Sequence, residues 1–123
     1  MKTLSFLCLL LMSTTAFPAM PTCSAASGGY CQYTGKVSKI YINSGNRILI
    51  YFDMPMPIEN ANLASFTISN GSAGILSVTD TPDFGKLFYS TALAAQSSNR
   101  SITIQMRGTL SGYLKIDRIW LAE

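Results

Sequence analysis

The chain has 123 residues, with 9 basic side chains against 6 acidic ones and a net charge of +3. Charged residues make up 12% of it, about half the share usual in soluble domains. No Lys/Arg cluster is present, which argues against a nucleic-acid partner, and no histidine is present, which excludes Ser-His-Asp and Cys-His nucleophile pairs and histidine zinc sites.

Met1-Lys2 is a short basic start, Leu4 to Met12 is an apolar run, and Ser13-Thr14-Thr15-Ala16 supplies small residues behind it. The run is too short for a bilayer core of about 30 Å, which needs about 20 apolar residues. Residues 1–16 therefore read as a cleaved signal peptide, and the protein is expected to be secreted or periplasmic. Cleavage there removes Cys8 and leaves Cys23 and Cys31, eight apart. Export favours a disulfide between them, worth about 2–3 kcal/mol by loop entropy. Spacing alone leaves two free thiols as the alternative.

Residues 17–32 hold Pro18, Pro21 and Gly28-Gly29 without periodicity, and read as an irregular N-terminal arm ahead of a single domain, 33–123. Tyr33 to Asn43 is β-rich through Val37, Ile40, Tyr41 and Ile42, and Asn43-Ser44-Gly45-Asn46 is a turn. Arg47 to Phe52 is the second strand of a hairpin. Ile48, Ile50 and Phe52 face one way and Leu49 and Tyr51 the other, so both faces are expected to be covered. Met54-Pro55-Met56-Pro57 stops that strand. Ser65 to Ser69 alternates, with Phe66 and Ile68 inward, and reads as a strand. Asn70 to Gly74 turns, and Ile75 to Thr79 is another short strand.

Thr81-Pro82-Asp83 then reads as a helix start: an N-cap, a proline at the first helical position, and an acid in the first turn. Phe84, Leu87, Phe88, Ala92 and Ala95 give that helix one apolar face, and it should end near Gln96. Arg100 to Arg107 alternates, with Ile102, Ile104 and Met106 on one face. Gly108 to Gly112 turns the chain into a last strand, Tyr113 to Leu121. The apolar phase shifts there between Ile116 and Ile119, which predicts a bulge at Asp117-Arg118.

The expected fold is all-β with one helix. Its element order is that of an OB-fold-like five-stranded barrel, with a small α+β sandwich as the alternative. Catalytic and metal chemistry find no residues. Asp80 and Asp83 are the closest acids, but they fit the turn and first turn of a helix and fall short of the oxygen count calcium needs. No cofactor and no metal site are expected. Tyr30 and Tyr33, beside Gln32, Thr34 and Lys36, offer flat rings next to hydroxyl, amide and ammonium groups, the chemistry that reads sugars. A Tyr packed over the barrel end is the alternative. Trp120 and Tyr51 sit in apolar strands and are expected in the core or an interface. The low charge fits added burial in an oligomer or on a partner.

The segment Tyr33-Thr34-Gly35-Lys36-Val37-Ser38-Lys39-Ile40-Tyr41-Ile42-Asn43-Ser44-Gly45 resembles the first strand of the subtilase-cytotoxin and typhoid-toxin B subunits, of the pertussis-like AB5 group. In those proteins an aromatic-Ser-Gly or Tyr-Ser-Asp step enters a strand that ends in a glycine turn. Phe84 to Met106 is similar to their central helix and following strand. The resemblance implies a secreted OB-fold pentamer that binds a cell-surface glycan, sialylated in that family, and partners a toxin A subunit. It places the family's glycan-contacting serine on Thr34, with Tyr33 before it and Gln32 and Lys36 as flanking contacts. The family's tyrosine after the helix falls on Met106, and its inter-strand disulfide and Trp-containing insertion are absent here. The expected roles are a hydrogen bond from the Thr34 hydroxyl and a stacked or bordering Tyr33 ring. With Thr34 at the surface, removing its hydroxyl should change stability little. A secreted structural or protein-interaction domain, or an accessory protein of an exported enzyme, are the other readings.

Overall fold

The computed structural model describes residues 18–122; the expected signal peptide, 1–16, lies outside the described residues. Seven strands form one mixed sheet: β1 (Thr22–Ser24), β2 (Tyr30–Lys36), β3 (Ile40–Asn43), β4 (Arg47–Tyr51), β5 (Ala73–Ser77), β6 (Ser101–Leu110) and β7 (Tyr113–Leu121). One α-helix, α1 (Pro82–Ser97), separates β5 from β6, and a 3-10 segment, Ile58–Ala64, separates β4 from β5. The strand order is β1-β2-β6-β7-β5-β4-β3, antiparallel throughout except for the β5–β7 pair.

The mostly-β class with one α-helix is as expected, but the closed five-stranded barrel is not: no ladder joins β2 to β3, so the sheet is open. It is nonetheless strongly curved. A flat sheet would hold β2 and β3, five steps apart in the order, about 24 Å from each other. Residues 37–39, which link them, reach about 14 Å at full extension. The sheet must curl until its β2 and β3 sides approach.

The extra strands have local causes. The stretch 33–43 is two strands because Tyr33 and Val37 face the core from odd positions, while Ile40 packs on it from an even one. One uninterrupted strand cannot do both, and the chain breaks at 37–39. Within the stretch expected as an irregular arm, residues 22–24 and 30–32 are paired strand. Cys23 and Cys31 are directly opposite in an antiparallel β1–β2 pair, and their disulfide closes it.

The core fills the hollow of the curled sheet. It joins Tyr33, Ile50, Phe52, Leu76, Ile102, Ile104, Met106 and Leu114 to Phe88 of α1 and to Met56, Ala61 and Ala64 around the 3-10 segment. The reverse face of β4 and β5 carries a second cluster, Leu49, Ala73 and Ile75, covered by Tyr51, Leu110 and Tyr113. Strand β4 is thus apolar on both faces because both are covered.

Helix α1 begins at Pro82 with Asp83 in its first turn, but Thr81 does not cap it; the Thr81 hydroxyl donates to the Ser77 carbonyl. Its buried stripe is Gly85, Phe88, Ala92 and Ala95. Leu87, expected inward, is 68% exposed. The small residues bring the helix close to the sheet, where Gly85 sits against Val78 and one large ring, Phe88, fills the space.

Residues 65–69 form no strand. Ile68 is buried and Phe66 half-buried as their alternation required, but the backbone N–H groups of Ser69 and Asn70 donate to the Gly112 carbonyl at the β6–β7 turn. Proline at 55 and 57 leads into the 3-10 segment, which ends at Ser65 in the left-handed region, φ 63°. The short strand placed at 75–79 runs at Ala73–Ser77. The bulge is as expected: Gln105 pairs with Arg118 and Met106 with Ile116, which leaves Asp117 as the extra residue.

Candidate functional site

Strand alternation splits the expected sugar contacts between two faces of β2. Cys31 and Tyr33 point into the core, while Gln32, Thr34 and Lys36 stand on the outer face. Tyr33 is fully buried, so its ring cannot stack on a sugar. Its ring lies 4.9 Å from that of Phe52 and folds back over Gly35, where an added Cβ would fall 2.5 Å from the hydroxyl. That hydroxyl donates to the Lys36 carbonyl and accepts from the Asp53 backbone N–H. Burial pushes its pKa up to about 12, and the Asp53 carboxylate acts in the same direction. The aromatic-Thr-Gly step is therefore a packing device. Glycine leaves room for the ring, and the ring ties the end of β2 to the start of the loop after β4.

The outer face is built by direct pairing across three strands. Thr34 lies opposite Thr103 on β6, and Thr103 opposite Trp120 on β7. The two threonine hydroxyls are hydrogen-bonded at 2.8 Å. In the next row Gln32 lies opposite Gln105, and Gln105 opposite Arg118; the Gln105 amide donates to Gln32 Oε1 at 3.2 Å. The Lys36 ammonium donates to the Asn99 carbonyl. At the far end Arg107 lies against the Tyr30 ring and donates to the carbonyls of Ser27 and Gly29. Asp117, the bulge residue, pairs with Arg118 at 3.1 Å and contacts Arg107 at 3.9 Å. Among the described residues, the buried side-chain atoms without a hydrogen-bond partner are Gln105 Oε1 and Arg107 Nε, both on β6 in this region.

The structure thus brings Gln32, Thr34 and Lys36 to one face and removes Tyr33 from it. Met106, matched to the family's site tyrosine, is fully buried on the inner side. Trp120, expected in the core or an interface, is 42% exposed on the outer face. The register change at Asp117 carried the signal for this. It puts Ile116 and Ile119 inward together and so turns Trp120 out.

A cleft of about 240 Å³ opens elsewhere, between the start of α1 and β7, lined by Ser77, Asp80, Thr81, Phe84, Lys115 and Asp117 among others. Asp80 faces it and Asp83 does not, so the two acids do not share that cleft. No group of three metal-ligating side chains occurs among the described residues. No protein-family model, curated protein or solved structure matches the chain.

Proposed function

We propose that the protein is an exported glycan-binding module that works as the B subunits of AB5 toxins do. The observation that carries this reading is the paired polar ladder on the outer face of β2 and β6: Thr34 with Thr103, and Gln32 with Gln105. A pair of hydroxyls keeps one O–H and several lone pairs free after bonding to each other, and an amide pair keeps both donors and acceptors. Sugar hydroxyls donate and accept at once and match such a surface. The contacts are Thr34, Gln32 and Lys36, without Tyr33.

The chain order supports an OB-like ancestry of this open sheet. If β2 and β3 are counted as halves of one bent strand, the sequence is a three-strand meander, a helix, and a hairpin whose last strand runs parallel to β5. On this reading the protein is a ring-forming homo-oligomer, a pentamer in the family resembled, with a cell-surface glycan and a toxin A subunit as partners. It is secreted or periplasmic and needs no cofactor.

A glycan array with the mature protein tests this. Thr34→Val removes the hydroxyl and should weaken binding about tenfold or more, while Thr34→Ser should retain it. Unchanged binding by Thr34→Val moves the site elsewhere. Failure of the wild type to bind any glycan favours the second reading, a protein-interaction domain. The free edge of β3, with Tyr41 43% and Ile42 54% exposed, is the feature that favours that reading.

A further inference from the structure

Trp120 is the single tryptophan of the chain. Directly opposed residues of a ladder share a face, so Thr34, Thr103 and Trp120 form one row across the outer side of β2, β6 and β7. The flanking row is Gln32, Gln105 and Arg118, and on the other side Lys36 lies opposite Ser101. The first two rows hold no aliphatic side chain, and the third adds only Ala122, hydrogen-bonded to Ser101. The indole is therefore a lone flat apolar surface, 42% exposed, inside a field of hydroxyls and amides.

That composition discriminates between occupants. The centre of a protein–protein interface is apolar and depleted in charge, whereas this row offers one aromatic ring and otherwise polar groups. A pyranose is amphipathic in the matching sense, with a C–H face and a rim of hydroxyls. Tryptophan supplies a large rigid face for the first, and Thr34 and Gln32 supply hydrogen bonds for the second. Two strand steps separate β2 from β7, about 10 Å, roughly the length of two linked rings.

We infer that Trp120 is the stacking platform of the site, with one pyranose ring lying on the indole and the hydroxyls of that ring or its neighbour reaching Thr34 and Gln32. This rests on the glycan reading proposed above and names a contact that the family resemblance does not place. Neutral and acidic sugars share the C–H face. Whether a carboxylate adds to the contact is an outcome of the test.

The single tryptophan makes its own emission a local reporter. The mature protein is titrated with lactose and with sialyllactose, following tryptophan emission and heat of binding together. Binding of either sugar should shift the emission to the blue and protect the indole from acrylamide quenching. Trp120→Ala should weaken binding at least about tenfold, Trp120→Phe should retain part of it, and Thr34→Val should weaken binding yet keep the emission shift. Thermal melts confirm that each variant is folded. Calorimetric binding with unchanged emission, or full affinity in Trp120→Ala, overturns the stacking role while leaving the glycan reading intact. So does array binding of other glycans with no response to either lactoside at millimolar concentration. A wild type that binds nothing on the array overturns both.

Discussion

Tyr33 shows how one side chain sets conditions on the whole fold. Its phenol is buried, bonded to Lys36 and Asp53, and held neutral up to a pKa of about 12 against 10.0 for an ordinary tyrosine. A folded-state pKa above the unfolded one means that the unfolded state releases its proton first. The stability tied to the neutral phenol is therefore complete below pH about 10 and is lost as pH rises towards 12. At about 1.4 kcal/mol per unit, the loss approaches 3 kcal/mol. Denaturant melts from pH 9 to 12 should show this fall, and Tyr33→Phe should flatten it while costing about 1–2 kcal/mol at neutral pH through two unpaired backbone groups. Thr34 carries a related cost. Its partner Thr103 is 4% exposed, so Thr34→Val strands a buried hydroxyl and should destabilise by about 1 kcal/mol, contrary to the small effect expected of a surface threonine. The double variant with Thr103→Val, which removes both partners, should recover most of that in a thermal melt. Recovery separates lost stability from lost sugar binding.

Among the elements, those set by local chemistry were legible in the sequence. The 43–46 turn closes through Asn43, which accepts from the Gly45 N–H, and through Asn46 at φ 58°. The helix followed its proline and its apolar spacing at Phe88, Ala92 and Ala95, though Leu87 of the same expected face points out. The bulge at Asp117 followed from Ile116 and Ile119 facing inward three positions apart. The same spacing at Val37 and Ile40 marks the break between β2 and β3, and it was present in the sequence to be read. Strand β1 was hidden for a different reason: three residues with two prolines just before them have no period, and only pairing with β2 makes them a strand. Tyr33 and Thr34 were both legible as a pair of interest, but which of them faces out depends on register. The Cys23–Cys31 bond is the staple of the β1–β2 pair. Replacing both cysteines with serine should cost about 2–3 kcal/mol in chemical denaturation. Intact mass of alkylated, unreduced protein should show neither thiol modified.

At the scale of the molecule, exposed apolar groups occur on several elements, and those on β3 coincide with a free sheet edge. Tyr41 and Ile42 lie on β3, whose outer edge is unpaired, and Leu87 and Leu93 lie on the outer side of α1. An unpaired strand edge offers backbone donors and acceptors to another chain, and low charge does little to oppose association. Light scattering at tens of micromolar should give a closed oligomer. Replacing Ile42 with lysine should shift it towards monomer while changing the unfolding free energy of the monomer by no more than about 0.5 kcal/mol. A wild-type monomer at that concentration contradicts the ring.

The curl of the sheet also fixes an order in time. Strand β2 holds its disulfide partner eight residues away, but its other neighbour, β6, pairs Cys31 with Met106 and Lys36 with Ser101. A chain made from its N-terminus at about 5–20 residues per second leaves that edge waiting several seconds for its partner. The small β1–β2 hairpin needs only local pairing and can be stapled as soon as it meets an oxidising compartment. Phe52 and Asp53 can reach the Tyr33 ring early, but the β2 edge that pairs with β6 stays open until near the end of synthesis, so how long that edge is exposed is set by the topology rather than by the final stability.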